Sequence, residues 1–96
     1  MSELQLEERI EVKIPKKVKV IMHNDDYTTM DFVIGILVKI FNKSIIEAEK
    51  IMLDVHKKGR GVAGIYSYDI AITKVATAMS MAKSEGFPFK LTTEEA

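Results

Sequence analysis

The sequence predicts an α+β domain in which three helices lie on a short sheet, in the order β-α-α-β-α-β. Three observations carry this. A β-branched, partly alternating run occupies Val18 to His23. Three stretches with apolar residues at helical spacing each follow a residue able to cap a helix. Gly59 and Gly86 stand just past two of those stretches, and short strand-like runs follow each.

In residues 1–16, charges of both signs are mixed, and Leu4, Leu6, Ile10, Val12 and Ile14 fall on even positions. Period 2 permits an extended strand, but no turn signal or partner strand adjoins it and Pro15 closes it. It reads as a flexible tail that becomes extended when bound, ahead of a core domain over 17–96. Val18 to His23 is the first strand, and Asn24 to Tyr27 form a turn. The first helix runs from about Thr29 to Phe41, with Thr28 and Asp31 at capping-box spacing. Asp31, Gly35, Lys39 and Asn42 make a narrow polar stripe on it, so most of its surface should be buried.

Ser44-Ile45-Ile46-Glu47 is a second capping box, and the helix it opens runs to about Lys58. Its apolar face is Ala48, Ile51, Met52 and Val55. Its outer face, Glu47, Lys50, Asp54 and Lys57, has spacings that let opposite charges pair. Gly61 to Tyr66 is the second strand. Ser67 can cap the third helix, whose expected apolar face is Ile72, Val75, Ala76, Met79 and Ala82. Gly86 and Pro88 end it. Phe89 to Thr92 is the last strand, followed by an acidic end.

Bulk properties exclude several function classes. Ninety-six residues make one domain with a modest core. The formal net charge is zero, so broad binding to nucleic acid or anionic lipid, which needs a positive field, is disfavoured. Without cysteine there is no disulfide framework and no thiolate chemistry. The first eight residues lack the basic start and apolar core of a secretory signal, and the apolar run Phe32 to Val38 is too short to span a bilayer. A cytoplasmic setting is expected.

Gly59-Arg60-Gly61-Val62-Ala63-Gly64 matches the dinucleotide fingerprint by letter, yet it follows a helix and opens a strand, the reverse of what pyrophosphate binding needs. Lys57, Lys58 and Arg60 read as a solvated helix end that suits the dipole. The run Asn24-Asp25-Asp26-Tyr27-Thr28-Thr29-Met30 is more informative. Acceptor-rich side chains at a strand-to-helix turn can hold a cation, and an apolar helix face follows them. His56 lies four residues after Met52, near the edge of the apolar face of its helix. An enzyme would use Asp25, Asp26, His23 and His56 as metal ligands or an acid-base set. No nucleophile accompanies them, and no second histidine stands at ligand spacing from His56. No enzyme activity, metal or cofactor is expected.

Asn24-Asp25-Asp26-Tyr27-Thr28 with Met30 and Phe32-Val33, Met52-Leu53 with Val55-His56, and Gly64-Ile65-Tyr66 resemble the ClpS adaptors. The resemblance covers about Val18 to Thr92. It implies a fold shared with the C-terminal domain of the bacterial ribosomal stalk protein. It also implies a small bacterial, monomeric adaptor that recognises N-degrons and hands them to a ClpA- or ClpC-type AAA+ unfoldase paired with the ClpP protease. In that reading Asn24, Asp26 and neutral His56 accept hydrogen bonds from the α-ammonium of the peptide. Asp25 adds negative potential or a water-mediated contact, and Thr28 binds the peptide backbone or holds the turn. Met22, Met30, Val33, Ile36, Met52 and Val55 would line a pocket for a first side chain of Leu, Phe, Tyr or Trp. The rival reading is a stalk-like protein-docking domain with no peptide pocket.

Two departures from the family pattern stand out. The family usually has proline where this chain has Thr29, and tends to have an acidic residue where it has Ile72. Asp69 and Lys74 match positions of the family's unfoldase-docking surface, with Asp in place of Glu. Residues 1–16 would engage the unfoldase.

Overall fold

The computed structural model describes residues 16–96. The expected tail therefore lies outside the described residues, Lys16 excepted. The elements are β1 (Lys17–His23), α1 (Met30–Lys39), α2 (Ile45–Lys58), β2 (Arg60–Ser67), α3 (Tyr68–Glu85) and β3 (Lys90–Glu95). The fold is α+β, as the sequence predicts. The sheet is antiparallel with β1 in the centre, in the order β2-β1-β3.

Strand alternation explains the layering. Val18, Val20 and Met22 of β1 belong to one buried cluster with Ile36, Leu37, Phe41, Ala48, Val55, Ala71, Ala78 and Ala82. All three helices thus contribute to the core on one sheet face. Ile21 is 2% exposed yet stands outside that cluster, on the opposite face. Arg60 pairs with Glu94 across β1. Their register partners are His23 and Lys19, which flank Ile21, so the ion pair spans the position above it.

Local chemistry sets the helix ends. Thr29, in extended backbone, caps α1 by accepting from the Phe32 N–H at 3.2 Å. The cap is one residue later than expected because the Thr28 hydroxyl is taken by Asp25. Asn42, at φ 59°, follows the end of α1 in left-handed backbone. The carbonyls just past the end of α1 are met from elsewhere. Tyr66 Oη donates to the Phe41 carbonyl at 3.0 Å, and Lys74 Nζ donates to the Ile40 carbonyl at 2.6 Å. These bonds answer the acceptors that any helix end leaves over. The Tyr66 ring lies over Gly64, where a Cβ would come within 2.6 Å of the ring edge, so residue 64 has no room for a side chain. Burial raises the pKa of the Tyr66 phenol, which stays a donor at neutral pH.

The Ser44–Glu47 capping box forms in full, and Gly59, at φ 89°, closes α2. Gly59 therefore ends a helix ahead of a strand, as the sequence suggests, and offers no phosphate cradle. The expected charge pairs along α2 do not form. The ion pairs among the described residues are Lys16–Glu95 and Arg60–Glu94.

Two further expectations are corrected. The buried face of α3 is Ala71, Ala78 and Ala82, while Ile72 and Met79 are 40% and 36% exposed and Ala76 is exposed. Alanines let the helix axis approach the sheet closely, and the bulkier side chains hang outside that contact. The last strand extends to Glu95 because Glu94 and Glu95 pair with Lys19 and Val18, carrying the acidic end into the sheet.

Candidate functional site

The connection from β1 to α1 is held at both ends. The Asn24 N–H donates to the Gly59 carbonyl at 2.9 Å, which ties the start of the loop to the end of α2. Thr29 fixes the other end as the α1 cap. Between them the Asp25 carboxylate organises the turn. Oδ1 accepts from the N–H groups of Tyr27 at 2.8 Å and Thr28 at 2.7 Å, and Oδ2 accepts from Thr28 Oγ1 at 2.7 Å. Burial raises the Asp25 pKa, but these three donors outweigh it and hold the carboxyl below its ordinary value.

Beside this loop lies a cavity of about 220 Å³. Its polar wall is His23, Asn24, Asp25, Asp26, Thr28 and His56; its apolar wall is Met22, Met30, Val33, Met52, Val55 and Phe89. Met22 is fully buried and Val55 nearly so, while Met30 is 54% exposed. Met22 comes from β1, Val33 from α1, and Met52, Val55 and His56 from α2. No hydrogen bond or ion pair engages the Asp26 carboxylate among the described residues, and Asp26 is exposed. Its acceptors are open to a ligand, whereas those of Asp25 already serve the loop.

An apolar cavity of about 150 Å³ is enough to take up benzene. One of 220 Å³ can house a leucine or aromatic side chain, with acceptors around its polar wall. Among the described residues, no group of three or more His, Asp or Glu is arranged to hold a metal ion.

The structure brings Asn24, Asp25, Asp26, Thr28, His56, Met22, Met30, Val33, Met52 and Val55 to one cavity. Ile36 is placed differently. It is 1% exposed, in the core, and absent from the cavity wall. It follows Val33 by three residues on α1 and turns inward beside Leu37. Asp69 and Lys74 meet on a separate shallow surface of α3, with Ile70 and Thr73. The Lys74 ammonium is already engaged by the Ile40 carbonyl and stands 5.1 Å from the centre of the Tyr66 ring.

Phe89 belongs to the wall without having been expected there. It precedes β3 and is 4% exposed, with the Phe32 ring edge-on to it at 5.7 Å. No local pattern links residue 89 to residue 24; sheet pairing brings them together. His23 also joins the wall. Its Nε2 is 2.8 Å from Thr92 Oγ1 of β3. Burial, then the Lys90 and Arg60 charges, hold its pKa below the ordinary histidine value, against a smaller pull from Glu94.

Comparison with known proteins decides the family. Residues 13–92 match the model of the family described as ATP-dependent Clp protease adaptor protein ClpS. The chain belongs to the ClpS family. It is 55% identical over 80 residues to the ClpS adapter of Desulfatibacillum aliphaticivorans, covering 83% of this chain and 77% of that one. It is 51% identical over 90 residues to the ClpS adapter of Clostridium acetobutylicum, covering 94% and 89%. The solved structure of Agrobacterium tumefaciens ClpS2 bound to L-phenylalaninamide superposes with a TM-score of 0.82 at 37% identity, covering 86% of this chain and all of that one. These likenesses establish the general role of a ClpS-type Clp protease adaptor. No helix among the described residues is long and apolar enough to cross a membrane.

Proposed function

We propose that the chain binds the free, hydrophobic N-terminal residue of N-degron substrates and delivers them to a ClpA- or ClpC-type AAA+ unfoldase paired with ClpP. It acts as a cytoplasmic, monomeric adaptor without catalysis of its own. The observation that carries this is the cavity beside the β1–α1 loop, where the open acceptors of Asn24 and Asp26 adjoin an apolar wall.

An α-ammonium offers three N–H donors and a positive charge. Asn24 Oδ1, the Asp26 carboxylate and a ring nitrogen of His56 supply three acceptors, and bonds of this charge-assisted kind exceed neutral ones. Asp25 acts one step back, holding the loop and adding negative potential, and the Thr28 hydroxyl secures the same turn. Burying a first side chain against Met22, Val33, Met52, Val55 and Phe89 contributes about 1.5–3 kcal/mol. A micromolar complex needs about 8 kcal/mol, so the amine and the side chain must both contribute. The L-phenylalaninamide bound to the Agrobacterium relative supports this reading, since that ligand joins a free amine to an aromatic side chain and a blocked carboxyl.

Delivery is tested with a reconstituted unfoldase–protease. Adding the protein should speed degradation of a Leu-first substrate while leaving an Ala-first twin unchanged. Removing residues 1–16 should abolish the acceleration and keep peptide affinity. Equal acceleration of both substrates would overturn N-terminal selection.

A further inference from the structure

The proposed binding residues leave one polar member of the cavity wall unused. His23 is the last residue of β1 and immediately precedes Asn24, so its backbone position sets where the first acceptor begins. Its register partners are Arg60 on β2 and Lys90 on β3. The 2.8 Å contact between its Nε2 and Thr92 Oγ1 ties the end of the central strand to β3. The other fixed point at this corner is the bond from the Asn24 N–H to the Gly59 carbonyl. Asn24 is therefore steadied from α2 by its own backbone and from β3 through His23.

We propose that His23 is a positioning residue for the ammonium site, and that it performs this role in its neutral form. The inference rests on the peptide-binding reading above. The charged groups around His23 define the effect of acid. Lys90 and Glu94 face it from β3, Arg60 from β2, and Lys19 shares its strand face. Asp25 and Asp26 of the loop and His56 of α2 share its cavity. Burial and the two nearest cations oppose a further positive charge there, in keeping with the lowered pKa. Protonation puts a cation between Arg60 and Lys90, one residue from the group meant to accept from the ammonium. It both strains that corner and repels the ligand. The sign is fixed by the lowered folded value. The neutral form is favoured by folding, so its contribution is complete above the ordinary histidine value of about 6.5 and fades as the pH falls through the folded value.

The test measures the affinity of a Leu-first peptide for wild type, His23→Ala and His23→Gln, from about pH 7.5 down to about pH 5, a range that starts above the ordinary histidine value and reaches well below it. His23→Ala should weaken binding about three- to tenfold at the higher pH, the range one part-buried hydrogen bond carries. His23→Gln, which can still bond Thr92 but cannot take up a proton in this range, should restore most of that loss. It should also show a smaller drop on acidification than wild type. His56 is present in all three proteins, so the difference isolates His23. Unchanged affinity in His23→Ala, or an equal acid response in His23→Gln and wild type, would overturn the proposal. An N-acetylated peptide run alongside separates the two readings: if wild type binds it as well as the free peptide, the ammonium site itself fails.

Discussion

Neighbouring aspartates in the loop should separate cleanly under mutation. Asp25 accepts three hydrogen bonds from Tyr27 and Thr28, whereas Asp26 accepts none from the described residues. Removing a carboxylate that caps backbone N–H groups at a helix start costs about 0.5–2 kcal/mol. Asp25 does the same for two N–H groups and a hydroxyl, at a half-buried site where freed donors can turn to water. Asp25→Ala should therefore destabilise the domain by about 1–2 kcal/mol. In a domain of this size that lowers the melting temperature by about 4–16 °C. Asp26→Ala should melt within about 0.5 kcal/mol of wild type, as exposed substitutions usually do. Its affinity for a Leu-first peptide should nevertheless fall at least about tenfold, because a charge-assisted bond to the ammonium is lost. Acid adds a check with a definite sign. The folded Asp25 carboxyl has a lowered pKa, so its stabilisation is complete above about pH 4 and disappears as pH falls through the folded value. The difference in stability between wild type and Asp25→Ala should shrink accordingly. Thermal unfolding with parallel calorimetric titration measures all of this. If Asp26→Ala proves the less stable variant, or Asp25→Ala melts like wild type, the division of labour argued for this loop is wrong.

Two other substitutions probe the cavity rim and α3. Met30→Ala should admit Ile-first and Val-first peptides while retaining Leu-first binding, since β-branched side chains are wide beside the backbone and Met30 is the half-exposed methionine of the wall. A peptide panel measured by fluorescence anisotropy checks this, and continued rejection of Ile and Val would place the gate at another residue. Lys74→Ala should lower stability by about 1 kcal/mol through loss of its bond to the Ile40 carbonyl and its contact with the Tyr66 ring. An unchanged melting temperature would show that those contacts contribute nothing in solution and would free Lys74 for docking alone.

What could be read from the sequence follows from how local each signal is. The Ser44–Glu47 box, the Gly59 stop and the β-branched run of β1 are set by neighbours a few residues apart, and each stands where the sequence places it. The cap of α1 moved because Thr28 and Thr29 both offer a hydroxyl, and Asp25 takes the first. The α3 face departs from its sequence pattern for a related reason. Size and hydrophobicity favour Ile72 and Met79, while the close approach to the sheet favours Ala71, Ala78 and Ala82. The extent of β3 was hidden by its acidic composition, which sheet pairing overrides. At the cavity, the polar loop and the α2 residues carried a recognisable spacing. Ile36 shares the helical phase of the wall residues without reaching the wall, and Phe89 reaches it from the far end of the chain.

The central claim is that one cavity reads a free amine and a hydrophobic side chain together. Titrating the protein with a Leu-first peptide and its N-acetylated twin tests this most directly. Acetylation removes the charge and two donors and leaves acceptors facing an amide, at a cost of several kcal/mol, roughly 2 or more. The account predicts tight binding of the free peptide and loss of about thirtyfold or more on acetylation. Equal affinity for the two peptides would contradict it.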